Sequence, residues 1–177
     1  MKVNSMDSSH KQILEFTSDW PEKFESEKIK LREVFTDPNI EIEHIGSTSV
    51  PGLASKDIVD IAVRINTKVD AEQYLERLSN LGYIYDEPAS SGERHFFRKG
   101  NPTEFHLSIA YRDIGGFWNR QITFRDYLRN NSDYRDLYSD LKKNLLQLDP
   151  TGGSEYIGGK TEFIENVLKL AENNKVI

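Results

Sequence analysis

The run His44-Ile45-Gly46-Ser47-Thr48-Ser49-Val50-Pro51-Gly52-Leu53-Ala54-Ser55-Lys56 holds the residues of this chain best suited to grip an anion. Backbone N–H groups near its glycines, the hydroxyls of Ser47, Thr48 and Ser49, and the Lys56 ammonium are all donors. A carboxylate follows at Asp60, close enough in sequence to hold a divalent cation beside that anion. Val59, Ile61, Val63 and Ile65 alternate with Asp60, Ala62 and Arg64, the period of a strand with one face in a core, so Asp60 projects from the opposite face. Ile40–Ile45 alternates in the same way. A strand, a Gly-Ser turn and an acid-bearing strand together form a plausible grip for a metal-bound triphosphate.

Neither of the common phosphate-loop signatures is present, G-x-x-x-x-G-K-[ST] or G-x-G-x-x-G, and no G-x-S-x-G elbow marks a serine nucleophile. A tight structural turn is the plain alternative for Gly46–Gly52. Further along, Glu104, His106 and Ser108 share one face of an alternating run, and His106 is suited to a metal, a phosphate or proton transfer near neutral pH. Arg94 and Arg98 offer forked contacts to a phosphate; a charged edge strand explains them equally well.

The block HIGSTSVPGL with Lys56 and Asp60 resembles the GrpB family, which has a nucleotidyltransferase-like fold. Trp20-Pro21 with Phe24-Glu25, Arg94-His95-Phe96-Phe97, His106-Leu107, Phe124–Arg129 and Lys160–Ile164 extend the resemblance over most of the chain. It implies an α/β, mixed-sheet fold with a helical C-terminal portion. It also implies that Gly46, Ser47, Thr48 and Ser49 cradle a triphosphate, with Lys56, Arg94, Arg125 and Lys160 on the phosphates. Asp60 would hold Mg²⁺, and Asp60 and His106 would be catalytic. Two departures stand out. Transferases of this superfamily carry a second acid two residues after the first, and here that position is Ala62; a second strand histidine is replaced by Ser108. Asp57 lies on the wrong alternation to substitute.

The remaining elements position these groups. Trp20, Phe24, Leu31 and Phe35 predict a helix capped by Asp19, with Pro21 in its first turn and a stop at Asp37-Pro38-Asn39. Asp70 is expected to cap a second helix that ends at Gly82. Strands follow around 83–85, 94–98 and 104–111, with a hairpin turn at 99–102. Tyr134, Leu137, Tyr138, Leu141, Leu145 and Leu148 mark a long helix whose stripe reads as core, and a final helix begins near Ser154. Residues 1–18 read as a loose arm or short strand, 19–111 as the sheet with its flanking helices, and 112–177 as the helical portion of one domain.

Composition narrows the function classes. Lys and Arg number 23 against 29 Asp and Glu, a net charge of −6 that disfavours nonspecific nucleic-acid binding. Cysteine is absent, which excludes disulfides, thiolate metal sites and thiol nucleophiles. No apolar run is long enough to span a bilayer, and the opening residues lack the apolar core of a secretory signal, so the cytoplasm is the expected compartment. Within these bounds the resemblance implies Mg²⁺-dependent transfer of a nucleotidyl group from an NTP to a small molecule or protein. The alternatives are noncatalytic binding of a nucleotide or phosphometabolite at a degenerate site, and a hydrolase or other phosphotransferase using Asp60 and His106.

Overall fold

The computed structural model describes residues 12–173. Five strands form one mixed sheet: β1 (Glu41–Ile45), β2 (Val59–Ile65), β3 (Ile84–Tyr85), β4 (Arg94–Lys99) and β5 (Phe105–Tyr111). Their order is β1-β2-β5-β4-β3, with β2 and β5 parallel and every other pair antiparallel. The helices are α1 (Asp19–Val34), α2 (Leu75–Asn80), α3 (Phe117–Asn130), α4 (Ser132–Leu148), α5 (Ser154–Gly159) and α6 (Thr161–Asn173). This is the mixed α/β architecture with a helical second half that the sequence predicts.

Alternation along β2 and β5 makes one sheet face apolar. Val59, Ile61, Val63 and Ile65 join Phe105, Leu107 and Ile109, and α1 seals them with Trp20, Phe24, Leu31 and Phe35. The helix starts at Asp19, so Asp19 lies in the first turn with Glu22, where negative charge suits the helix dipole, and does not cap it. Asp70 also departs from its expected role. It lies in a 3₁₀ segment, Val69–Tyr74, that precedes α2, and its carboxylate turns back to Thr67.

The opposite face carries the polar alternates. Register aligns Ile45, Asp60, His106 and Arg98 in one row across four strands, and Glu43, Ala62, Ser108 and Phe96 in the next. On this face α3 lies against β1 and β5, and Trp118 packs with Ile45, Ala62 and Ala110. The loop between β1 and β2 reaches into the helical half, where Val50 and Leu53 meet Leu128, Tyr138 and Val167. In residues 12–18, Leu14 pairs with Ser55 through two backbone hydrogen bonds, an isolated antiparallel bridge where the sequence offers a loose arm or a short strand. Residues 1–11 of the expected arm lie outside the described residues.

Candidate phosphate-binding site

The site lies where β1 ends and β2 and β5 begin. Gly46 closes β1 with φ at +69°, and an added Cβ would overlap Asp60 Oδ2 and lie 3.0 Å from Asp60 Cβ. Glycine is therefore required twice here, by the backbone and by the carboxylate that packs on it. A 3₁₀ turn, Ser47–Ser49, follows. Gly46 and Ser47 are partly exposed, but Thr48 and Ser49 are buried. The Thr48 hydroxyl is 2.9 Å from His44 Nε2, and Ser49 Oγ donates to the Gly46 carbonyl at 2.6 Å. Both hydroxyls thus have partners within the segment His44–Ser49, and of the four residues expected to form the cradle only Gly46 and Ser47 are partly exposed.

His44 lies on the sheet face away from Asp60, stacked on Phe24. Burial, reinforced by Arg129 and Arg125, outweighs the attraction of Asp60 and lowers its pKa to about 4. It is a neutral structural ring at physiological pH.

Asp60 and His106 do come together, as their register requires. His106 Nδ1 is 3.0 Å from Asp60 Oδ1, and His106 Nε2 is 3.2 Å from Arg98 Nη1. A guanidinium can only donate, so Nε2 accepts and Nδ1 carries the proton toward Asp60. Arg98 is itself anchored by Asp86 at 2.6 Å and stacks on Phe96. Both imidazole nitrogens thus have protein partners. Arg94 donates to Ser108 Oγ at 2.9 Å and stacks on Phe96 and Phe117. Burial lowers its pKa, and Asp60 partly opposes that shift.

Two arginines of α3 hold the loop. Arg125 bonds Glu43 (2.7 Å), Asp126 (2.8 Å) and the His44 carbonyl (2.9 Å). Arg129 donates to the Ser49 carbonyl at 3.0 and 2.7 Å. Arg125 is buried by these contacts and, at a position where the resemblance implies a phosphate contact, clamps α3 to the loop. Asp57 is likewise engaged elsewhere, accepting from Trp20 Nε1 and Lys23.

Three lysines define the other wall. Lys56 and Lys160 place their ammonium groups 3.8 and 4.4 Å from the ring centre of buried Tyr156. Lys142 of α4 is only 2% exposed, donates to the Ala54 carbonyl, and lies 4.8 Å from the Tyr138 ring centre. Burial lowers the Lys142 pKa to about 7; repulsion from Lys160, Lys56 and Lys143 adds to this, and attraction to Asp60 opposes it. Lys160 is lowered mainly by burial, again against the pull of Asp60.

Sequence reading did not single out Lys142 or Tyr156. Of the expected α4 stripe, Tyr134, Tyr138 and Leu141 do pack in the core, whereas Leu137 and Leu148 are 56% and 76% exposed and Ser139 and Lys142 are buried instead. A lysine one turn after Tyr138, beside Leu141 and Leu145, was the available signal.

These features fit the GrpB protein family, whose sequence profile matches residues 11–170. The chain belongs to the GrpB family. It is 31% identical to UPF0157 protein BH1888 of Halalkalibacterium halodurans over 159 residues, which cover 90% of this chain and 81% of that protein. The crystal structure of conserved protein GrpB from Enterococcus faecalis superposes with a TM-score of 0.84 at 32% identity, covering 94% of this chain and all (100%) of that one. Cid1 in complex with the UTP analog UMPNPP gives a TM-score of 0.52 at 17% identity, covering 76% of this chain and 43% of Cid1. This last likeness identifies the fold as nucleotidyltransferase-like.

The GrpB chain does not supply the donors of a two-cation centre. Ala62 is fully buried beneath Trp118, so the position of the second acid is sealed by α3. Among the described residues, no three His, Asp or Glu side chains are grouped to hold a metal ion. Asp60 already accepts from His106 and is the carboxylate that Lys142, Lys160 and Arg94 act upon. A resident Mg²⁺, with its preference for oxygen ligands, does not fit this cation-rich donor set.

Proposed function

We propose that this GrpB protein binds a nucleoside triphosphate or a related phosphorylated small molecule in the cleft between the Gly46–Ser47 turn and the helical half. The observation that carries the reading is that Lys142 and Lys160 both act on Asp60, while Lys56 and Lys160 lie over the same Tyr156 ring. A buried ammonium such as that of Lys142, held by the Ala54 carbonyl and the Tyr138 ring, is expensive, and an anionic ligand would offset that cost. Gly46 and Ser47 would supply close backbone approach, and Arg94 a further positive charge. Cid1, which shares the fold, is known in complex with a UTP analog, and this favours nucleotides among the candidates. A chain without cysteine suits the cytoplasm, where such ligands are abundant.

Nucleotidyl transfer is a second reading, favoured by the Asp60–His106 pair beside the Gly46–Ser47 turn. In that role Asp60 would orient an acceptor group, while the lysines would stabilise charge on departing pyrophosphate.

Calorimetric titration with each NTP, paired with a pyrophosphate-release assay, tests both readings. Saturable binding of at least one NTP is expected. Pyrophosphate release in the presence of a metabolite mixture would establish transfer, and binding without release would leave the binding module. Failure of every nucleotide and of inorganic triphosphate to bind would contradict the proposed function.

A further inference from the structure

The same cleft carries an inference about how its ligand is held, which rests on reading it as a phosphate site. We propose that the lysines replace divalent metal here: the pocket takes the metal-free polyphosphate anion, and Mg²⁺ weakens binding. The donor set points this way from two directions. On the acid side, Asp60 has no companion on its strand, because Ala62 packs under Trp118. Glu43, on the same sheet face, is tied to Arg125 at 2.7 Å. On the cation side, Lys142 and Lys160 act on Asp60 from α4 and from the α5–α6 junction, while Lys56 acts on Lys142 from the loop. Arg94 acts on Asp60 from β4.

A dication arriving at Asp60 meets that positive field, whereas a polyphosphate is drawn into it. The lysines are also placed to be read by shape as well as by charge. Lys56 and Lys160 lie over the Tyr156 ring, and Lys142 is held by the Ala54 carbonyl and the Tyr138 ring. Ammonium groups fixed in this way lose little freedom when an anion binds. Asp60 then has the opposite role to a metal ligand. It balances the lysines in the empty pocket and repels part of the bound anion.

The experiment uses the full chain, with inorganic tripolyphosphate and the four common NTPs as probes, each titrated in EDTA and in excess MgCl₂. We expect binding in EDTA that weakens several-fold when Mg²⁺ complexes the probe. Lys160→Gln, at a partly exposed position, should weaken binding by about tenfold or more, and Lys142→Met by at least as much. Asp60→Asn should tighten it several-fold. Thermal unfolding of each variant confirms that it is folded, and Lys160→Gln serves alone if Lys142→Met does not fold.

Binding that requires Mg²⁺ and is lost in Asp60→Asn would overturn the inference and leave the phosphate-site reading standing. Metal-free binding unaffected by either lysine substitution would also overturn it. No binding of any probe under either condition would remove both. Tripolyphosphate binding as tightly as an NTP would assign recognition to the phosphates, and tighter NTP binding would add a base contact to the same lysine-held site.

Discussion

Glu27 and Lys142 are both buried charges, 1% and 2% exposed, yet the protein treats them in opposite ways. Glu27 on α1 accepts from Lys99 at 2.5 Å, Lys30 at 3.0 Å and Tyr83 at 3.1 Å. Burial alone would raise the pKa of its carboxyl, but these partners outweigh burial and hold it below the ordinary value. Lys142 has a carbonyl and an aromatic ring, with more lysines than carboxylates acting on it. The first charge closes a network that joins α1 to β4. The second is kept at a cost in the free protein, which on the proposed function an anion would offset. On that proposal the difference separates a structural ion cluster from a binding site.

The largest expected effect comes from breaking the satisfied cluster. Glu27→Ala should destabilise the fold by about 3 kcal/mol, because it leaves Lys99 and Tyr83 without their shared acceptor. Urea unfolding measures this, and a loss below about 1 kcal/mol would show the cluster to be incidental. Ala62→Asp asks what a buried charge costs with neither partners nor ligand. Placed under Trp118, it should cost at least about 2 kcal/mol and should not create activity, measured by thermal unfolding beside the pyrophosphate assay. A stable, newly active Ala62→Asp protein would mean that the site had simply lost an acid.

Lys142→Met should change stability by no more than about 1 kcal/mol, since the released desolvation cost offsets the lost bond to Ala54. A pH series separates the two charges. With its folded pKa near 7, below the ordinary lysine value, Lys142 binds fewer protons folded than unfolded. Its contribution to stability therefore rises from about pH 7 to about pH 10, and this slope should be missing in Lys142→Met. Anion affinity should run the other way, falling as pH rises above 7 and the ammonium is lost. Glu27, lowered by its partners, contributes stability above the ordinary carboxyl range that disappears as pH falls through its folded pKa. Denaturation midpoints across pH for wild type and the two variants would resolve the opposite slopes.

Much of this was legible in the chain. Alternation in β1, β2 and β5 predicts the strands and places Asp60, His106 and Ser108 on one face, because strand periodicity is local. Gly46 stands out as a turn residue, although only the structure reveals that Asp60 itself excludes a side chain there. The helical half was harder to read. The α4 pattern predicts the helix and places Tyr134, Tyr138 and Leu141 in the core, but it also counts Leu137 and Leu148, which lie on the exposed side. A lysine on the buried face, Lys142, is not what an apolar pattern can reveal. The tasks of Arg125 and Arg129 depend on how α3 docks on the loop, a long-range contact that no local pattern encodes.

The central claim is that the lysines facing Asp60 form a phosphate site, and a crystal structure of the full chain grown with an NTP in EDTA tests it most directly. Phosphate oxygens should lie within hydrogen-bond distance of Nζ of Lys142 and Lys160, beside the Gly46–Ser47 backbone. A nucleotide seated elsewhere, with both ammonium groups unchanged, would contradict the account.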